Sequence, residues 1–129
     1  MARREREWEA LDPKLLEAVT RILTRHIGRE HAIARADLVD DVRRLTRHPY
    51  TDRQVRAAIN ALRKQGWLIC SAGGVGGGYW LAKNRGEVLE FLEREVRPRA
   101  MDLLAIEKAM RQAMLEQFGQ PTLFEFATR

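Results

Sequence analysis

The chain of 129 residues has a single cysteine, four prolines and few aromatics, 7% of the total. With Cys70 alone, no intrachain disulfide can form, and a reducing compartment is expected. Four prolines and a hydrophobic content of 45% argue against wholesale disorder and for a real, modest core. Long apolar runs are absent as well. No window approaches a membrane span, and the N-terminal MARREREWEALDPK carries charges without the apolar stretch of a signal peptide. A soluble cytoplasmic protein with no membrane partner is the expectation. Histidine is scarce: His26, His31 and His48 show no ligand spacing with one another or with Cys70, so no metal site is expected. The acid pairs Glu5/Glu7, Asp40/Asp41 and Glu93/Glu95 read as solvated helix faces, and Cys70 as a small core residue. No catalytic constellation emerges, which points to a non-enzyme without cofactor.

Positive charge is what the chain has in quantity. Its pI is about 10.0, and the distribution is uneven. Residues 1–84 hold 16 basic and 10 acidic side chains, whereas residues 85–129 hold 7 and 8. Between Val42 and Lys64 there are seven basic residues and one acid, Asp52. A solvated face would intersperse the signs, so this concentration suggests the footprint of a polyanion.

Local signals divide the chain. Residues 1–10 alternate charges around Trp8 and suit a charged arm or an extra helical turn. Asp12-Pro13 is a strong helix start, an oxygen acceptor at the N-cap with proline at the first helical position. Leu15, Leu16, Val19, Ile22, Leu23 and Ile27 then recur at helical spacing up to Gly28. His31-Ala32-Ile33 suits a small strand or an extended link. A second helix is predicted over 37–45, with Leu38, Val42 and Leu45 on one face, and His48-Pro49-Tyr50 breaks it. Thr51 and Gln54 have capping-box spacing for a third helix running to Gln65, with Gly66 as its stop. Trp67–Cys70 and Tyr79–Leu81 are strand-like and joined by a glycine-rich tip. The chain is helical again from Arg85. Val88, Leu92 and Val96 form a stripe beside Leu89 and Phe91, and Pro98 is expected to end or kink this helix near Arg97. A last helix is predicted from about Arg99 to Phe118, with Leu103, Ile106, Met110 and Met114 on one side, before Gly119 and Pro121.

Residues 52–65, projected at 100° per residue, separate cleanly. Val55, Ala58, Ile59 and Leu62 gather on one side, and Arg53, Ala57, Asn60 and Lys64 on the other, flanked by Arg56 and Arg63. A helix entering the DNA major groove needs that division: a buried stripe for anchorage, and long donors around a small residue that permits close approach. Arg53 suits a bidentate contact to guanine and Asn60 one to adenine, with Arg56 beside them. Arg63 and Lys64, together with Arg43, Arg44, Arg47 and Lys83, are expected at phosphates. The Thr51 hydroxyl, Gln54 and the helix N-terminus are expected to join them.

The tip Gly73-Gly74-Val75-Gly76-Gly77-Gly78 is not a nucleotide loop. Such a loop runs straight into a helix, whereas a β-type run, Tyr79-Trp80-Leu81, follows here. The glycines instead supply the positive φ angles of a hairpin and let its backbone lie close to a sugar-phosphate chain. The tip itself carries no Arg or Lys, so little electrostatic affinity is expected from it.

TDRQVRAAINALRKQGWLICSAGGVGGGYWL, residues 51–81, resembles the winged helix-turn-helix of the biotin-operon-repressor and DeoR-like regulators; small phage and prophage DNA-binding proteins carry similar modules. Thr51, Arg53, Val55, Arg56, Ile59, Leu62, Arg63, Gly66, Gly77, Gly78, Tyr79 and Leu81 match that pattern, and the resemblance covers about Leu11 to Ala82. It implies an α+β, mostly α fold: three helices and a β-hairpin wing, here with a C-terminal helical extension. It also implies that the helix after Thr51 lies in the major groove of double-stranded DNA, with the hairpin near the backbone. Two departures stand out: the tip has more glycine than the pattern requires, and only a short stretch follows where those repressors carry a sensing or enzymatic domain.

The expected organisation is an arm (1–10), a winged domain (11–84), a helical extension (85–118) and a tail (119–129). The extension reads equally well as a homodimerisation element or as helices packed back on the winged domain. The tail segment Gln120-Pro121-Thr122-Leu123-Phe124 resembles the pentapeptide that binds the bacterial sliding clamp, with Gln120, Leu123 and Phe124 matching and Pro121 departing. Two functions follow as expectations. The first is non-catalytic binding of double-stranded DNA by a transcriptional regulator of phage-like type. The second is a replication-accessory module docking on the sliding clamp or another replisome partner.

Overall fold

The computed structural model describes residues 11–120, and their first helix starts where its cap dictates. The Asp12 carboxylate accepts a hydrogen bond from the Lys14 amide at 2.9 Å, and Pro13 opens α1, Pro13–Leu23. One turn of 3-10 helix, Arg29–His31, leads to α2, Arg35–Thr46, and then α3, Asp52–Lys64. The antiparallel hairpin β1 (Ile69–Ala72) and β2 (Gly78–Leu81) follows, then the short helix α4, Arg85–Phe91. Residues up to Phe91 form one compact unit and those from Leu92 a second. The described chain is thus mostly helical with one small two-stranded sheet.

The first unit closes around its apolar stripes. Leu15, Val19 and Leu23 of α1, Leu38 and Val42 of α2, and Val55, Ile59 and Leu62 of α3 bury together with Ile69 and Tyr79 of the hairpin. Strand alternation divides the hairpin's side chains. Ile69 and Tyr79 face this core, while Cys70 and Trp80, paired across the ladder, are buried outside it. The second strand is not an edge. Beyond β1 on one side, its other side pairs with an earlier segment: Ile33 and Tyr79 exchange two backbone hydrogen bonds of 2.9 Å, and Leu81 bonds to His26 and Gly28.

Several boundaries differ from the sequence expectation, each for a physical reason. α2 begins at Arg35 rather than Asp37, directly after the Ile33–Tyr79 pairing releases the chain, and Asp37 sits in its first turn. β1 begins at Ile69 rather than Trp67 because the end of α3 engages Trp67. The Gly66 amide bonds to the Arg63 carbonyl and the Trp67 amide reaches back to Leu62 at 3.0 Å, with Gly66 at φ 99°, a Schellman cap. Gly78 is held at φ 144° against the Ile33 carbonyl, where any Cβ would collide with that oxygen.

In the second unit, Leu92–Val96 forms a π-helical turn and Arg97–Phe118 the long helix α5. Pro98 lies in the first turn of α5 rather than ending a helix at Arg97. Its ring nitrogen cannot donate to the carbonyl four residues back, and the widened turn just before it absorbs the misfit. No residue of α5 is buried.

Candidate nucleic-acid interface

The turn between α2 and α3 is fixed by side chains as much as by backbone. Arg47 caps α2 in the left-handed conformation, φ 54°, and donates its amide to Arg43 at 2.8 Å. The Arg43 Nε then crosses the turn to the Tyr50 carbonyl at 2.9 Å. The Tyr50 ring is buried, and its hydroxyl donates to the Asp12 carboxylate at 2.6 Å. That bond pushes the Tyr50 phenol up to about 12 and holds the Asp12 carboxyl below its ordinary value. One aspartate therefore caps α1 and moors the turn that launches α3.

α3 opens with the reciprocal cap expected of Thr51 and Gln54. The Gln54 amide donates to Thr51 Oγ1 at 3.1 Å, and the Thr51 amide donates to Gln54 Oε1 at 2.8 Å. Both side chains serve the helix start. Val55, Ala58, Ile59 and Leu62 are buried, whereas Arg53, Arg56, Ala57, Asn60 and Lys64 are exposed. Arg53 and Lys64 have no ion-pair partner among the described residues; Arg56 is held by Asp52 at 2.9 Å, one turn back. One face of α3 therefore presents three cations and an amide around a small residue.

The remaining candidates are dispersed. Arg43 and Arg44 are exposed and lie 3.8 Å from Asp40 and Asp41 respectively, a separation at which surface pairs hold weakly. Lys83 is committed to Glu30 at 3.1 Å. Arg63 is half-buried: its Nε donates to the Ile69 carbonyl at 2.8 Å and its Nη2 to Ser71 Oγ at 3.1 Å. Its guanidinium also lies 4.8 Å from the centre of the Phe91 ring. A signal for this was present in the sequence, since at 100° per residue Arg63 lies only about 40° from Ile59, on the margin of the apolar stripe.

At the tip, Gly73, Gly74, Val75 and Gly76 are exposed, with Gly74 and Gly76 at positive φ, while Gly77 is half-buried and Gly78 buried. Of the tail residues Gln120 is described; Leu123 and Phe124 lie outside the described residues.

A network that sequence reading missed joins α4 to the unit it closes. The Glu87 carboxylate accepts the Arg29 and Lys83 amides, each at 3.0 Å, and Arg29 pairs with Glu90 at 3.4 Å. Burial alone would raise Glu87, but those two amides hold it below its ordinary value. Glu30 is lowered too, through its own backbone amide and Lys83. Apart from Lys83 and Glu87, four residues apart, the paired residues lie 53 to 61 positions apart, beyond any local pattern. Cys70 is buried beside the Glu87 carbonyl, and burial followed by the Glu87 charge pushes its thiol up to about 11, far from a reactive thiolate. His26 Nδ1 lies 2.8 Å from the His31 carbonyl, within the link between α1 and α2. Among the described residues no group of three or more His, Cys, Asp and Glu side chains could hold a metal ion, and no helix is long and apolar enough to cross a membrane.

No protein-family model matches the chain, and no curated protein or solved structure does either.

Proposed function

We propose that the chain is a winged helix-turn-helix protein that binds double-stranded DNA without catalysis, in the manner of a transcriptional regulator. The observation that carries this reading is the outer face of α3, where Arg53, Arg56, Asn60 and Lys64 surround Ala57 with all five exposed. In this reading α3 lies in the major groove. Arg53 and Asn60 address base edges, Arg56 leaves Asp52 to join them, and Lys64, Arg44 and Arg47 meet phosphates. The hairpin approaches the backbone through its uncharged tip.

A second copy of the chain is the proposed partner of α5. Leu103, Met110 and Phe118 are 66%, 68% and 81% exposed, and Met101, Leu104 and Ile106 are exposed as well. Leu103, Ile106, Met110 and Phe118 share one side of the helix, the face that a second copy would cover. α5 also carries four basic and three acidic residues, so it does not repel itself. Two-fold pairing would supply two copies of α3 for two half-sites.

The test is binding of random duplex DNA across a salt series. A slope of log Kd against log salt of several units, with Arg53→Ala plus Arg56→Ala losing binding, supports the reading. Undiminished binding by that double variant overturns the assignment of α3. Selection of bound sequences from a random pool then gives the target and the half-site spacing together.

A further inference from the structure

Arg63 stands at the last turn of α3, where a phosphate contact was the natural expectation, yet three contacts from two other elements of the first unit converge on it. Its Nε is bonded to the Ile69 carbonyl and its Nη2 to Ser71 Oγ, both on β1, and the face of its guanidinium is covered by Phe91 of α4. A planar cation with donors in a fixed fork and a stacking face suits all three at once. An ammonium in its place would lose the fork and the stack.

We propose that Arg63 is a positioning residue: it sets the hairpin and α4 against the C-terminal end of α3, and DNA affinity depends on it although it touches no phosphate. This rests on the DNA-binding reading above. Its physical content is geometric. The α3 surface and the hairpin tip meet one duplex only if their separation is set, and between Gly66 and Ile69 the chain has just two residues with which to set it. Arg63 spans that corner from the inside, and Phe91 holds Arg63. The docked state of α4 is thereby coupled to the surface offered to DNA, although α4 supplies no contact to it.

The decisive variants are uncharged. Phe91→Leu and Ser71→Ala each remove one of Arg63's contacts without altering the number of cations available to DNA. Each is expected to weaken duplex binding about two- to thirtyfold, with an unchanged slope of log Kd against log salt. Lys64→Ala, the phosphate comparator, should flatten that slope by about 0.9. Arg63→Lys should fail to restore affinity. The proposal is overturned if Phe91→Leu and Ser71→Ala bind as the parent does. It is equally overturned if Arg63→Lys binds as the parent does while Arg63→Ala flattens the slope like Lys64→Ala.

A parent protein that binds no duplex at low salt overturns the DNA reading instead. The joint is then read from backbone amide resonances of the free protein. Phe91→Leu should move the signals of Arg63, Ile69 and Ser71, and shifts confined to α4 overturn the proposal. The same spectra show whether each variant is folded, and the milder Ser71→Ala carries the test if Phe91→Leu is not.

Discussion

The two units of this protein treat apolar residues in opposite ways. In the first, Leu23, Leu38, Ile59 and Ile69 are sealed, and α1, α2 and α3 each spend one face on a common core. In the second, α5 has Leu103, Leu104, Ile106 and Met110 exposed and buries none of its residues. Composition does not separate them; arrangement does. α1 and α3 concentrate their apolar residues into one stripe that neighbouring elements can cover. α5 distributes its own around the helix, with Met101, Leu104 and Leu115 away from the side of Leu103, Ile106 and Met110, so no single neighbour can cover them all. The lesson is that hydrophobic residues make a core only when their spacing gives them one direction to face.

The most severe way to break this contrast is in the sealed core. Leu23→Ala removes a side chain with no exposure, and a loss of about 3 kcal/mol is expected in chemical denaturation. Next is the backbone crossing at β2. Gly78→Ala would drive a methyl into the Ile33 carbonyl and force a left-handed alanine, so a loss of about 2 kcal/mol or more is expected, read as a fall in Tm.

The Asp12–Tyr50 tie should show in the pH dependence of Tm. Asp12 is depressed in the folded protein, so its contribution is present above its ordinary value of 3.8 and is lost as pH falls through the lower folded value. Tyr50 is raised, so its contribution is complete below 10.0 and is lost as pH rises through about 12. Tyr50→Phe is expected to lower Tm at neutral pH and to flatten both limbs; limbs identical to the parent's would show that other groups set them.

The smallest effect belongs to α5. Met110→Ala should change the unfolding free energy of the first unit by less than about 0.5 kcal/mol. The same variant should weaken self-association in sedimentation equilibrium. A cost comparable to that of Leu23→Ala would erase the contrast and make α5 part of the core.

Much of the first unit was legible because its signals are local. Asp12-Pro13, the Thr51–Gln54 box and the Gly66 stop need only a few residues each, and the structure shows all three. The apolar stripe of α3 was readable from its period, and with it the exposed set Arg53, Arg56, Ala57, Asn60 and Lys64. Arg63, Lys83 and Arg43 are where local reading fell short. Each was taken for an outward cation, and each is engaged by a partner that only folding brings near: Ile69 and Phe91, Glu30, and the Tyr50 carbonyl.

By itself the sequence determined where α1 and α3 begin, which face of α3 is apolar and where glycine must turn the chain, because caps, periodicity and positive φ act within a few residues. The tertiary structure alone decided that β2 would run between β1 and the Ile33 segment, that Asp12 would hold Tyr50, and that Phe91 would cover Arg63. Those outcomes depend on contacts tens of residues apart, whose geometry exists only once the core has closed.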